Sequence, residues 1–180
     1  MHAFEPQDFI FYALAGNVAI NKLFNVQAHN VALGATNEII TIPRVNYCKP
    51  GSYGSLEIKK PESPMLSVGQ PLDYTPERGR QVSQIALDEL NLQRVDLLKI
   101  DVESMEVDVL MGARSLIRTC QPLIWVEILK TDAQRIKDLL GEWDYRFFDA
   151  GQNMLAVPSG DNELVERFWV SEQNVLFVKV

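Results

Sequence analysis

Residues Leu97 to Gly112 read LLKIDVESMEVDVLMG, and this stretch does most to limit what the chain can fold into. Val95 to Val102 is a short, nearly continuous apolar run, the pattern of a strand covered on both faces. It passes at once into helical spacing, with Met105, Val109, Leu110, Ala113, Leu116 and Ile117 recurring on one side. Ser104 stands where a cap is expected, and Glu106 and Asp108 fall in the first turn, where acids suit the helix dipole. Asp101 and Glu103 therefore sit at the carboxyl end of a strand that feeds a helix. In open α/β sheets ligands bind outside such ends, so both acids are candidate site residues; the alternative is that they are solvated loop or capping groups.

The rest of the chain repeats the theme. His2-Ala3-Phe4 ends a strand, Pro6 suits a first helical position, and a helix is expected to about Leu14. Val26 to Leu33 and Glu38 to Ile42 read as strands. Between Pro43 and Arg80 the prolines and glycines concentrate, in stretches such as KPGSYGS and KKPESPM, which predicts a long irregular excursion with at most a short strand near Leu56 to Ile58. Leu87 to Leu90 reads as a helical turn. Leu123 to Ile128 is a further apolar strand carrying Glu127 near its carboxyl end. Asp132 caps a helix bearing Ile136, Leu139 and Leu140, which Gly141 is expected to stop. Tyr145 to Phe148 and Met154 to Val157 form a hairpin about the turn AGQN, and Val175 to Val180 reads as a last strand. Strands alternating with helices, then an antiparallel group, predict an α/β sandwich with a mostly parallel sheet.

At 180 residues and 47% hydrophobic content, one domain spanning 1–180 is expected. A net charge of -7 disfavours nucleic acid or an anionic membrane as partner. Cys48 and Cys120 share no metal-ligand spacing with each other or with His2 and His29, so no zinc site or disulfide framework is suggested, which fits a reducing cytoplasm. No apolar run is long enough to span a bilayer, and MHAFEPQDF lacks the order of a signal peptide. Neither G-x-G-x-x-G after a strand nor G-x-x-x-x-G-K-S/T occurs, which removes the main support for nicotinamide or nucleoside triphosphate chemistry.

AFEP at the start, NVALG at 30–34, LDEL at 87–90, LLKIDVE with its EVDVLMGA helix, and PLIWVE together resemble the FkbM-type methyltransferases, in order and spacing as well as in letters. The resemblance implies a three-layer, Rossmann-like class I fold, S-adenosylmethionine as cofactor, and a hydroxyl of a sugar or natural product as methyl acceptor. It implies that Glu5 accepts hydrogen bonds from the cofactor's ribose hydroxyls, a task suited to a carboxylate's two oxygens. It places Asn30 and Ala32 at the adenine pocket. Asp101 and Glu103 match the acidic motif beside the reacting centre, where an in-line displacement at a sulfonium needs aligned atoms and a group to take the hydroxyl proton. Asp101 is the candidate base and also a cofactor contact. Glu103 would orient the acceptor or hold the cofactor's amino group; Glu127 could do either, or join Asp101 on a divalent cation, though no metal site is expected. Lys99 shares Asp101's face by alternation.

Two departures stand out. Family members carry a strand, a turn of the form D-x-G-A-N-x-G and a helix before FEP, whereas here Met1 stands where the second strand is already under way. Ser104 replaces the family's usual glycine. The first departure is expected to leave sheet edges bare, open to pairing with another copy, and to leave these 180 residues with weak or no turnover. A fragment of a longer reading frame explains it most economically; a strand supplied by a second chain and a decayed, catalytically silent interaction module are the alternatives.

Overall fold

The computed structural model of the protein describes residues 1–61, 68–160, 162–173 and 175–179. The residues Glu62 to Met65 of the KKPESPM stretch and the terminal Val180 of the expected last strand lie outside them. The chain forms two compact units, Met1–Ala86 and Leu87–Val180.

In the first unit, β1 (His2–Phe4) runs into α1 (Asp8–Ile20) and returns as β2 (Gln27–His29), parallel to β1. The helix passes Leu14 and reaches Ile20, because Gly16 costs only about 1 kcal/mol inside a helix and the apolar run continues through Val18-Ala19-Ile20. It ends where Asn21 closes the last turn and Lys22 takes a positive φ of 54°.

The single strand expected over Val26 to Leu33 is two. After β2 the chain breaks at Asn30, whose Nδ2 donates to the Glu5 carbonyl at 2.9 Å, and β3 (Ala32–Leu33) then joins a different sheet. That sheet has the order β3-β5-β4, with β4 (Glu38–Ile42) antiparallel and β3 parallel to β5 (Arg80–Ile85). The strand β5 carries no apolar alternation in its sequence, since an inward position is filled by Gln84. This buried amide is satisfied by donating to the Thr36 carbonyl and to Glu38 Oε1. Ala32, Ile42 and Val82 form the core here, with Ile40 and Ile58 against them.

No strand forms at Leu56 to Ile58. A 3-10 turn at Tyr53–Ser55 precedes it, and Leu56 and Glu57 are buried, so these residues anchor the excursion rather than pair. Buried Gln7 pins the same segment, donating to the Tyr53 carbonyl and accepting from the Tyr47 hydroxyl, both at 3.0 Å.

In the second unit, a 3-10 turn at Leu87–Leu90 leads to β6 (Leu97–Ile100), α2 (Glu106–Gly112), α3 (Arg114–Cys120) and β7 (Leu123–Glu127). One helix was expected where two stand; the chain bends at Ala113, with φ -113° and ψ 13°. Next come α4 (Ala133–Gly141), β8 (Tyr145–Ala150) and β9 (Asn153–Pro158). Asp132 caps α4 as expected, accepting from the Gln134 and Arg135 amides; Gly141 is its last helical residue, and the left-handed position falls on Asp144.

The sheet order is β6-β7-β9-β8, with β6 and β7 parallel and the other pairs antiparallel. In the β8–β9 hairpin Gly151 has φ 66° at the first loop position, as a type II′ turn requires. A short α5 (Asn162–Val165) and a second hairpin, β10 (Phe168–Val170) with β11 (Leu176–Val178), finish the unit. Leu155, Val157 and Val165 cluster with Trp125, Phe148 and Phe168 on one sheet face. The register puts Ile124, Val126, Met154 and Ala156, each 0% exposed, on the other.

The fold is therefore α/β, but its sheets are mixed rather than mostly parallel. Among the described residues three pairings are parallel (β1–β2, β3–β5, β6–β7) and four are antiparallel. Only β1–β2 and β6–β7 are joined directly through helices. After α4 the chain enters a hairpin, so β9 rather than a new parallel strand lies beside β7. No helix among the described residues is long and apolar enough to cross a membrane.

Candidate active site

The parallel register of β6 and β7 pairs Ile100 with Val126, which puts the next residues, Asp101 and Glu127, side by side at the carboxyl ends of both strands. Glu103 enters from the β6–α2 loop. The three acids each offer a carboxylate oxygen, and these oxygens lie within 4.8 Å of one another.

Charge balance differs among the three. Lys99 Nζ stands 2.7 Å from Asp101 Oδ2, in a pair exposed to water. Lys130 Nζ stands 2.5 Å from Glu103 Oε2, with only 9% and 12% of the two side chains exposed. Among the described residues no cation pairs directly with Glu127. Burial pushes the Glu127 carboxyl above the usual carboxylate range, the nearby charges of Asp101 and Glu103 push it the same way, and Lys130 and Lys99 only partly offset them. Three converging oxygens could also ligate a hard divalent cation, but here two lysines already supply positive charge to the group.

The loop that delivers Glu103 is bent through two consecutive left-handed residues, Glu103 at φ 53° and Ser104 at φ 75°. Ser104 does not cap α2. The N-cap is Met105, without a side-chain bond, and the loop is held instead by Glu106. That residue, expected in the first helical turn on the dipole, is 1% exposed, and Val102 N–H reaches its Oε1 at 3.4 Å. Burial raises its carboxyl well above the ordinary value, against hydrogen bonds from the Val102 and Ser104 amides and the Thr131 side chain. Glu106 and Lys130 are the two residues that sequence reading did not assign to the site. Glu106 carried no signal beyond its first-turn position, whereas Lys130 falls three residues past Glu127 on the segment leaving β7.

The twisted loop also accounts for the serine. A φ of 75° suits glycine, and for an L-residue that region costs roughly 1–2 kcal/mol. Ser104→Gly is therefore expected to stabilise the protein by about 1 kcal/mol, because glycine keeps the amide that bonds Glu106 while losing the strain. A raised urea midpoint at unchanged slope is the expected reading; a lowered midpoint contradicts it.

The residues expected at the cofactor lie in the first unit. Glu5 follows β1, and its Oε1 accepts the Gln7 amide at 2.7 Å; burial raises its carboxyl despite the bonds from Gln7. Asn30 braces this turn, donating to the carbonyls of Glu5 and Pro6 at 2.9 and 3.5 Å. Ala32 is a core residue, 1% exposed against Ile42 and Val82, so its side chain has no surface to offer a ligand.

A family-wide profile described as the methyltransferase FkbM domain matches residues 1–152. "Methyltransferase 1" of Beauveria bassiana (strain ARSEF 2860) is 32% identical over 120 residues, which are 61% of this chain and 47% of that protein. The crystal structure of methyltransferase FkbM from Methylobacillus flagellatus KT superposes with a TM-score of 0.53 at 15% identity, covering 87% of this chain and 36% of that one. The chain thus spans about half the length of the fungal relative and about a third of the bacterial one. It belongs to the FkbM methyltransferase domain family.

Proposed function

We propose that this chain carries the acidic methyl-transfer machinery of a class I, Rossmann-like methyltransferase that takes S-adenosylmethionine as donor and a hydroxyl of a sugar or natural product as acceptor. The observation that carries the reading is the convergence of Asp101, Glu103 and Glu127 at the ends of adjacent parallel strands, with two of the three neutralised by lysine.

Displacement at a sulfonium releases a proton from the acceptor hydroxyl, and the group that takes it must be unprotonated and unpaired at working pH. Glu127 meets that requirement better than Asp101. Asp101 is tied to Lys99, whereas Glu127 has no direct ion-pair partner among the described residues and binds a proton more tightly than an ordinary carboxylate. Glu103, held by Lys130, orients the acceptor or the cofactor's amino group. The cofactor supplies the methyl group. For its ribose, Glu5 offers a carboxylate on a turn fixed by the Gln7 amide and by Asn30.

Titration calorimetry of the 180-residue protein with S-adenosylhomocysteine tests the reading. Saturable binding is expected, and Glu5→Ala should abolish it, because one carboxylate bound to two hydroxyls is worth several kcal/mol when its partners are left unpaired. Absence of binding to a folded protein would sink the proposal and favour an interaction module without catalysis.

A further inference from the structure

Helix α1 has apolar residues on every side, yet no residue in it is fully buried. Its inner face, with Ile10, Phe11, Leu14 and Val18, is half-buried and the helix rests on β2. The outer face is equally apolar and open. Phe9, Tyr12 and Ile20, together with Leu23 and Phe24 in the turn that follows, are between 42% and 93% exposed. A helix apolar all round belongs in an interior, so a second apolar surface is expected over this one.

The sequence says which surface fits. Taking Gly16 as a centre, Tyr12 and Ile20 stand four positions to either side, Phe9 and Leu23 seven, and Ala13 and Ala19 three. Leu23 is held near the helix by its amide, which donates to the Val18 carbonyl at 3.0 Å. We propose that α1 is a self-association surface, on which two copies of the chain pack their helices antiparallel across a two-fold axis at Gly16. An isologous interface must be self-complementary, and this pattern is: Tyr12 meets the partner subunit's Ile20, Phe9 meets the partner's Leu23, and alanine meets alanine.

Gly16 permits the approach. A Cβ built there meets nothing within 4 Å, so the helix backbone is bare at the crossing point, the arrangement that lets two helices come close. Charge offers no opposition. From residue 8 to 25 the only charged side chains are Asp8, already paired with Arg80, and Lys22, so a chain of net charge -7 has a neutral window here. Area suffices as well. At about 150–250 Å² per large side chain, the five exposed residues present on the order of 600 Å² in each copy. Two copies would bury about 1,200 Å², the lower end of stable interfaces.

Sedimentation velocity on the 180-residue chain is expected to show a dimer at micromolar concentration, and Ile20→Asp to weaken it at least about 100-fold, because each copy would bury one unpaired carboxylate, two in the interface. Far-UV circular dichroism checks that this variant is folded. Cross-linking decides the matter should it not fold. In a Cys48→Ser, Cys120→Ser background, Gly16→Cys is expected to form a disulfide-linked dimer on mild oxidation much faster than Ser83→Cys, a control on the exposed side of β5. A monomer at about 100 µM, a dimer indifferent to Ile20→Asp, equal cross-linking at both cysteines, or a monomer that binds anionic vesicles through α1 would each overturn the proposal.

Discussion

Glu127→Gln is expected, on the methyl-transfer role proposed above, to lower whatever turnover the protein supports by about two to four orders of magnitude, the usual worth of a positioned general base, with much less change in the concentration of acceptor needed for half-saturation. Glutamine keeps the size and one oxygen of the side chain but cannot take the acceptor's proton. On the same role, the rate of the unaltered protein should rise with pH through the raised Glu127 value and then level off, because a base works only when deprotonated. Asp101→Asn should move that rise to lower pH, since it removes the stronger of the two like-charge effects holding Glu127 up. Carbon-13 titration of the Glu127 carboxyl reads the same displacement without turnover. A Glu127→Gln enzyme with an unaltered rate and an unaltered acid limb would return the role of base to Asp101.

That assignment could not be made from sequence, although the three acids could. Asp101, Glu103 and Glu127 announced themselves because each follows an apolar run of strand-forming residues. The runs from Leu97 and from Leu123 read correctly as strands, as did the Asp132 cap and the Gly151 turn, but β6 is not covered on both faces as its run suggested, since Leu97 is 59% exposed and Lys99 is exposed too. Partners were not legible, since Lys130 earns its place only once the chain leaving β7 folds back on Glu103. The strand β5 escaped for a related reason. Its inward positions are shared between Val82 and Gln84, and a buried glutamine satisfied by Thr36 and Glu38 looks, in one dimension, like a surface residue. The β8–β9 hairpin was legible from its turn, but the mostly parallel sheet was not borne out, since β9 lies antiparallel against β7 and β5 against β4, and alternation of strands and helices says nothing about which neighbour a returning strand selects. Glu106 shows the same limit most sharply: an acid in a first helical turn suits the dipole whether it points to water or, as here, inward under a strained loop.

Lys130→Met is expected to destabilise the protein by about 3–5 kcal/mol near neutral pH, the cost of leaving one member of a buried ion pair without its partner. Methionine fills much of the same space, so the loss comes from charge rather than from a cavity. Glu103 would then hold an uncompensated carboxylate, 12% exposed, within 4.8 Å of oxygens from Asp101 and Glu127. Glu127 gives the unaltered protein a pH dependence of its own. Its folded-state value is raised, so its contribution to stability is complete below the ordinary carboxylate range and is lost as the pH climbs through the raised value. Adding Glu103→Gln to Lys130→Met should recover part of the stability, because the second substitution removes the orphaned charge. Urea unfolding of the two variants at neutral pH is the measurement. A Lys130→Met protein within about 0.5 kcal/mol of the parent at neutral pH, or a double variant no more stable than the single one, would show that Lys130 holds the loop by packing and that the acids tolerate one another without it.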